Sequence, residues 1–302
     1  CAGVDWGNNC STGIISMSFV EQAFAFPCAG EQLLGIVALP DHPEATGILL
    51  VVGGPQYRVG SHRQFLLLSR TLAEAGYSAM RFDYRGMGDS AGELRGFESA
   101  NDDIAAAIEA LQARCPWVER IVLWGLCDAA SACLLYWDAT QDERVSGMVL
   151  LNPWARSEAT LAKTHIKHYY GQRLLQIEFW HKLLSGKLGI GRALRGFGSS
   201  LMRTRPASAG NNKKLPLPFQ QRMMQALEAF PGPLLLILSG NDYTGKEFLQ
   251  ACQSSEPAQR ALSGPRLTRF DSLAADHTFS SREWRQGVEA ETLAWLQKSI
   301  AP

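Results

Sequence analysis

The chain has 302 residues, 46% of them hydrophobic and 19% charged, with 29 basic and 29 acidic side chains. That is enough length and apolar content for one large domain or two modest ones with a sizeable core, and it excludes global disorder. A formal net charge of zero argues against an evenly basic surface, so nucleic acid is not expected as a partner.

The first sixteen residues lack the basic start and continuous apolar core of a secretory signal. They also lack any hydrophobic period, so residues 1–16 are expected to form a disordered or non-native extension outside the fold. From Met17 onward strand-like and helical patterns alternate. Phe19 to Phe26 and Gln32 to Leu39 read as an antiparallel pair around a turn at Cys28 to Glu31. Gly47 to Val52 reads as a buried strand running into the turn Gly53-Gly54-Pro55. A helix is expected from Ser61 to Ala75 with Gly76 as its stop, then a strand from Ser78 to Phe82. Phe97 to Arg114 reads as one helix, with Ile104, Ile108 and Leu111 on one face. The strand Arg120 to Trp124 leads into a helix of small residues, Asp128 to Trp137, and then the strand Val145 to Leu151. Pro233 to Ser239 and Arg266 to Phe270 supply two more strands, and Arg282 to Ile300 a closing helix.

This alternation predicts an α/β fold, a mostly parallel sheet covered on both faces through right-handed crossovers. The rhythm breaks between residues 155 and 218, where helical segments arrive without strands. The predicted organisation is a core of residues 17–154 and 219–302 with a helical insertion, 155–218, placed as a lid at the carboxyl ends of the strands. No apolar run reaches the roughly 18 residues of a membrane span. Seven scattered cysteines without a CxxC pair point to neither a disulfide framework nor a zinc site, and to a reducing cytoplasm.

One of those cysteines stands apart. In Ile121-Val122-Leu123-Trp124-Gly125-Leu126-Cys127-Asp128-Ala129-Ala130 a strand meets a helix across a sharp turn. Gly125 lies two residues before Cys127 and Ala129 two after, the G-x-S-x-G spacing of a nucleophile elbow with cysteine for serine and alanine for the last glycine. Small residues there let strand and helix pass closely. The sulfur sits at a helix N-terminus, where free N–H groups favour thiolate. A base is expected in Asp276-His277-Thr278-Phe279, after the last strand, and an orienting acid in Ser239-Gly240-Asn241-Asp242, after the strand before it. Asp271 and Asp276 compete with Asp242, and Asp276 adjoins His277 too closely in sequence to hold its ring. The oxyanion donors expected are the backbone N–H groups of Asp128 and Gln56, since Pro55 has none. Gly54, Tyr57 and His62 are the further pocket candidates.

The order Cys127, Asp242, His277 and the segment Arg81-Phe82-Asp83-Tyr84-Arg85-Gly86-Met87-Gly88-Asp89-Ser90, similar to a D-x-R-G-x-G-x-S loop, resemble the α/β-hydrolase superfamily from about residue 32 to the end. Three strings, 53–64, 124–130 and Leu151-Asn152-Pro153-Trp154, resemble the hydrolase 1 family encoded with exosortase A systems in bacteria that make exopolysaccharide. The resemblance implies a cytoplasmic α/β-hydrolase without a settled substrate. The mechanism the residues suggest takes a small acyl substrate, and with no metal cluster or dinucleotide fingerprint in the sequence no cofactor is expected. Esters, thioesters and lactones all suit a cysteine nucleophile. Transfer of the acyl group to a carrier or sugar is the first alternative, and a catalytically silent scaffold is the second.

Charge is not evenly spread. Residues 155–218 hold twelve Lys and Arg against two Glu, a net +10 that leaves −10 on the remainder. Two functional options follow from that segment: an anionic substrate drawn towards the site, or contact with anionic lipid at the inner membrane. Oligomeric state has no signature in the sequence.

Overall fold

The structure, a computed structural model, describes residues 18–54, 56–156 and 217–300. The expected N-terminal extension and nearly all of the expected lid fall outside the described residues. Chain contacts divide the protein into two compact units, Cys1–Ala155 with Arg222–Pro302, and Arg156–Gln221. In the second, the Gln220 side-chain amide donates to the Arg156 carbonyl at 3.5 Å.

The first unit is built on an eight-stranded sheet: β1 (Phe19–Cys28), β2 (Glu31–Pro40), β3 (Thr46–Val51), β4 (Ser78–Phe82), β5 (Arg120–Leu126), β6 (Val145–Leu151), β7 (Leu234–Ser239) and β8 (Leu267–Ser272). The strands lie in the order β1-β2-β4-β3-β5-β6-β7-β8. β1 pairs antiparallel with β2 and β2 with β4, and every later pairing is parallel. β3, β4 and β7 are buried along their whole length, as strands covered on both faces must be. Three connecting helices, α1 (Gln64–Glu74), α2 (Asn101–Arg114) and α3 (Asp128–Thr140), come before β6. After it come α4 (Phe219–Ala229), α5 (Tyr243–Gln253), α6 (Glu256–Ser263) and α7 (Arg282–Ser299). Among the described residues no helix is long and apolar enough to cross a membrane.

Glycines show which helix covers which face. A Cβ on Gly47 would meet Leu111 of α2 at 3.3 Å, and one on Gly125 would meet Ala129 of α3 at 2.7 Å. Gly47 pairs with Ile121, four residues before Gly125, so both glycines face the same side. Gly147 pairs with Val122 on the opposite side, where a Cβ would meet Ile300 at 2.7 Å and Trp295 of α7 at 3.0 Å.

Sequence and structure differ at several element bounds, and also at α4, where no helix is expected. The helix expected from Phe97 is two pieces, a 3₁₀ turn at Phe97–Ser99 and then α2, because Ala100 adopts φ −86°, ψ 3°. The helix expected from Ser61 starts as a 3₁₀ turn in which His62 and Arg63 both take positive φ, 53° and 61°. The run to Val52 ends as strand at Val51, and β5 continues to Leu126. Between β7 and β8, where no helix is expected, lie α5 and α6, each capped by the residue before it, Asp242 and Ser255.

The loop after β3 is pinned to the loop after β4. Asp83, fully buried, accepts the Arg58 N–H at 2.6 Å and the Asp89 N–H at 3.1 Å, and it pairs with the Arg58 guanidinium. Arg58 also reaches Asp89 at 2.6 Å. Arg85 pairs with Asp103, and with Asp102 at 3.2 Å. The glycine-rich segment 81–90 is therefore a brace for residues 53–60. Removing one partner from such a pair leaves a buried charge uncompensated, so Asp83→Ala is expected to lower unfolding free energy by about 3 kcal/mol, read from urea midpoints at constant m.

Candidate active site

β5 ends at Leu126 and α3 begins at Asp128, so the chain reverses within a single residue. Cys127 takes φ 63°, ψ −123°, a conformation side-chain-bearing residues rarely adopt. Gly125 is required beneath it: the Cβ it lacks would lie 2.7 Å from the Ala129 carbonyl and the Ala130 nitrogen. Ala129 fits, fully buried. The Cys127 N–H donates to Leu151 O at 2.8 Å and its carbonyl accepts the Trp154 N–H at 3.1 Å. Among the described cysteines, Cys28, Cys115, Cys133 and Cys252 are buried, and Cys127 alone is half-exposed. Burial pushes the Cys28 and Cys252 thiols up to about 12 and raises Cys115 and Cys133 as well, which leaves those four inert.

The three candidate acids separate by geometry. Asp271 pairs with Arg269 at 3.0 Å on the surface. Asp276 ties its own loop, accepting the N–H groups of Thr278 at 3.2 Å and Ser280 at 3.0 Å and the Ser280 hydroxyl. Asp242, only 7% exposed, places Oδ2 2.8 Å from His277 Nδ1. The same carboxylate caps α5, accepting from Thr244 N at 3.0 Å and Gly245 N at 3.1 Å. Burial pushes its pKa up, but His277 and the two N–H groups outweigh that and hold it below the usual carboxylate range.

His277 takes Asp242 on Nδ1 at 2.8 Å, and the Cys127 thiol acts on the same ring. Asp242 first and Cys127 second favour the protonated ring, raising it to about 10 against the opposing effect of burial. The imidazole therefore stands between a fixed carboxylate and a sulfur at a helix N-terminus. That arrangement pairs an oriented ring with a half-exposed thiol, the two groups a nucleophile and its acid–base partner would need.

The turn after β3 is tied to the start of α3. The Gly54 N–H donates to Asp128 Oδ2 at 2.8 Å, so it is committed to a side chain. Asp128 Oδ1 is buried without a hydrogen-bond partner. Burial raises the Asp128 carboxyl, opposed by the Gly54 N–H, the N–H groups opening α3 and the charge of His277. Gly53 leaves room for this carboxylate, since a Cβ there would lie 2.1 Å from Oδ1. Gln56 closes its own loop by accepting the Ser61 N–H on Oε1 at 3.2 Å. Gln56 and Tyr57 line a groove of about 310 Å³ with Gly86, Met87, Gly88 and Leu94. His62 does not line that groove; it is exposed and acts on Asp276 by charge alone. Two polar side chains at this site have no periodic signal in the sequence: Asp128, visible there only as the residue after the nucleophile, and Asn152, visible only as an asparagine between a strand and a proline.

A family model described as serine aminopeptidase, S33, matches residues 44–254, a span that holds the elbow and Asp242 and ends before His277. No curated protein matches the sequence. Among solved structures, an esterase from Pyrococcus furiosus is similar over 94% of this chain and 95% of its own, with TM-score 0.62 and 16% identity. The esterase domain of a Rhodothermus marinus protein is similar over 93% of this chain and all of its own, with TM-score 0.57 and 18% identity. Est1E of Butyrivibrio proteoclasticus, solved with ferulic acid bound, has TM-score 0.58 and 14% identity over 93% of this chain and 100% of its own. At such identities these neighbours speak for the fold. The family match spans most of the chain, and with the sheet order and the strained turn after β5 it leads to one conclusion: the chain belongs to the serine aminopeptidase S33 family of α/β-hydrolases, with cysteine where its elbow would carry serine.

Proposed function

We propose that the protein hydrolyses a carboxylic ester, thioester or lactone through a covalent acyl-cysteine. The observation that carries this reading is the His277 ring, held by Asp242 Oδ2 at 2.8 Å and raised in pKa by Asp242 and the Cys127 thiol beside it. The thiolate sulfur forms a bond to the carbonyl carbon while the carbonyl electron pair moves to oxygen, held by the N–H groups of Asp128 and Gln56. The oxyanion collapses, the bond to the leaving group breaks, and the imidazolium gives that group its proton. Water then attacks the thioester as His277 takes its proton. The carbon–sulfur bond breaks and the acid leaves with the thiolate restored.

A thiolate is itself a good leaving group, so the first oxyanion partitions forward best when the substrate expels a group of comparable acidity. That favours aryl esters and thioesters over amides. Two of the structural neighbours bear the description esterase, which adds support for acyl–oxygen chemistry. The groove beside Gln56 has no charged side chain among its lining residues and suits an uncharged acyl chain. The finer placement beside hydrolase 1 of exosortase A systems rests on the strings 53–64, 124–130 and 151–154. In that setting the basic stretch 155–218 is proposed as a lid that draws anionic carriers or anionic lipid.

Short-chain aryl esters test the reading directly. Cys127→Ala and His277→Ala are each expected to lose ~10³-fold or more in kcat/KM, and Asp242→Asn ~10²–10⁴-fold; wild-type rates in Cys127→Ala would overturn it. Chain length tests the groove: hexanoyl esters are expected to exceed acetyl esters in kcat/KM by about tenfold, a preference that Leu94→Glu abolishes. Stability tests the protonation state. The folded His277 pKa lies above its ordinary 6.5, so its contribution is complete below that pH and lost as pH rises through about 10. The gap in urea midpoint between wild type and His277→Ala is therefore expected to close between pH ~7 and ~10.5.

A further inference from the structure

We infer that Asn152 is the positioning residue that holds His277 in register with Cys127, an inference that rests on the cysteine-hydrolase reading above. Asn152 follows β6, is fully buried, and takes φ 42°, a left-handed conformation that asparagine tolerates better than most residues. Its Oδ1 accepts the Ser239 N–H at 2.9 Å. Its Nδ2 donates to Ser239 Oγ at 2.8 Å and to the His277 carbonyl at 3.2 Å. The amide orientation is fixed by these partners, since a backbone N–H only donates and a backbone carbonyl only accepts. Ser239 ends β7, the strand that delivers Asp242, and a Cβ on Gly245, whose N–H binds Asp242, would lie 3.0 Å from Asn152 Oδ1.

The neighbouring residues hold the nucleophile. Leu151 O accepts the Cys127 N–H at 2.8 Å, and the Trp154 N–H donates to the Cys127 carbonyl at 3.1 Å. Ser131 Oγ, one turn into α3, donates to Trp154 O at 2.7 Å. Leu151 and Trp154 thus grip the backbone of the sulfur-bearing residue on both sides, and Asn152 between them holds the backbone of the imidazole-bearing residue. The histidine loop is also tied to the acid's loop by Gly240 N to Ser272 O at 2.9 Å and Asn241 N to Ala275 O at 3.0 Å, contacts that hold His277 relative to Asp242. Asn152 adds a direct tie from the histidine loop to the strand end that grips Cys127. A displacement of about 1 Å at a reacting centre is worth about 10²-fold in rate.

Two substitutions at Asn152 and one at Ser239 separate positioning from bracing. Asn152→Asp keeps the acceptor for the Ser239 N–H and can accept from its hydroxyl, but turns an oxygen towards the His277 carbonyl. Ser239→Ala keeps the His277 tie and removes only the hydroxyl partner. Activity on an aryl ester and iodoacetamide alkylation of Cys127 are read at a temperature well below each variant's unfolding midpoint. Asn152→Asp is expected to lose ~30–100-fold in kcat with KM within about twofold, and to show a displaced pH profile of Cys127 alkylation, whereas Ser239→Ala stays within about threefold of wild type. Asn152→Gly, which removes the side chain without strain at positive φ, is expected to show the same loss and serves where the aspartate variant does not fold. A folded Asn152→Asp or Asn152→Gly with wild-type kcat and alkylation profile, alongside an inactive Cys127→Ala, overturns the inference and leaves the hydrolase reading standing. An active Cys127→Ala instead overturns the hydrolase reading, and the inference with it.

Discussion

The close passage of β5 under the first turn of α3 is the constraint on which the site depends. With no side chain on Gly125 and only a methyl on Ala129, the chain can reverse at Cys127 with φ 63°. That reversal places the sulfur at the N-terminus of a helix, where unpaired N–H groups and the helix dipole favour negative charge. The cost of a strained residue is of order 1–3 kcal/mol, and it is offset by the surrounding packing, with β5 buried from Ile121 to Leu126. A larger residue at either flanking position would push helix and strand apart, and Cys127 would lose both its exposure and its place at the helix N-terminus.

Around that turn the site is assembled from strand ends by side chains bridging loops distant in sequence. Asp128 reaches Gly54, 74 residues away, and Arg58 reaches Asp83, 25 away. Asn152 reaches Ser239 and His277, 87 and 125 residues away. A parallel sheet makes this arrangement natural, because consecutive strands deliver their carboxyl ends to the same edge. The sheet fixes each loop only at its root. Within the loops, a small number of buried polar contacts sets the distances on which proton transfer depends, and each is worth more in that low-dielectric setting than on the surface.

Those distances explain what the sequence could and could not disclose. Strands were legible because burial on both faces writes them as continuous apolar runs, and the small residues flanking Cys127 marked the elbow because sterics permit little else. Asp242, from its place after β7, was a candidate partner for His277, and the two side chains meet. Its second task, capping α5 through Thr244 and Gly245, was hidden in the same residue, and with it the helix that follows. The interruption at Ala100 and the paired left-handed residues His62 and Arg63 are backbone choices made by tertiary context, with no local composition to announce them. The Asp128–Gly54 and Asn152–His277 contacts have no periodicity at all. Only folding brings their partners together.

The cysteine gives the electrostatics of the site a coherent sense. A serine hydroxyl needs a neutral imidazole to take its proton in the attacking step, so a histidine protonated at rest would oppose it. A thiol loses its proton far more readily, and in the proposed mechanism the cationic ring would serve as counter-ion of the sulfur and later as acid for the leaving group. His277, raised to about 10 by Asp242 and Cys127, is matched to that second regime. Asp242 is itself held anionic by His277 and two backbone N–H groups, so it keeps the ring charged and oriented across the neutral range. Serine at position 127 would take away the Cys127 share of the rise at His277 and leave Asp242 as the main cause.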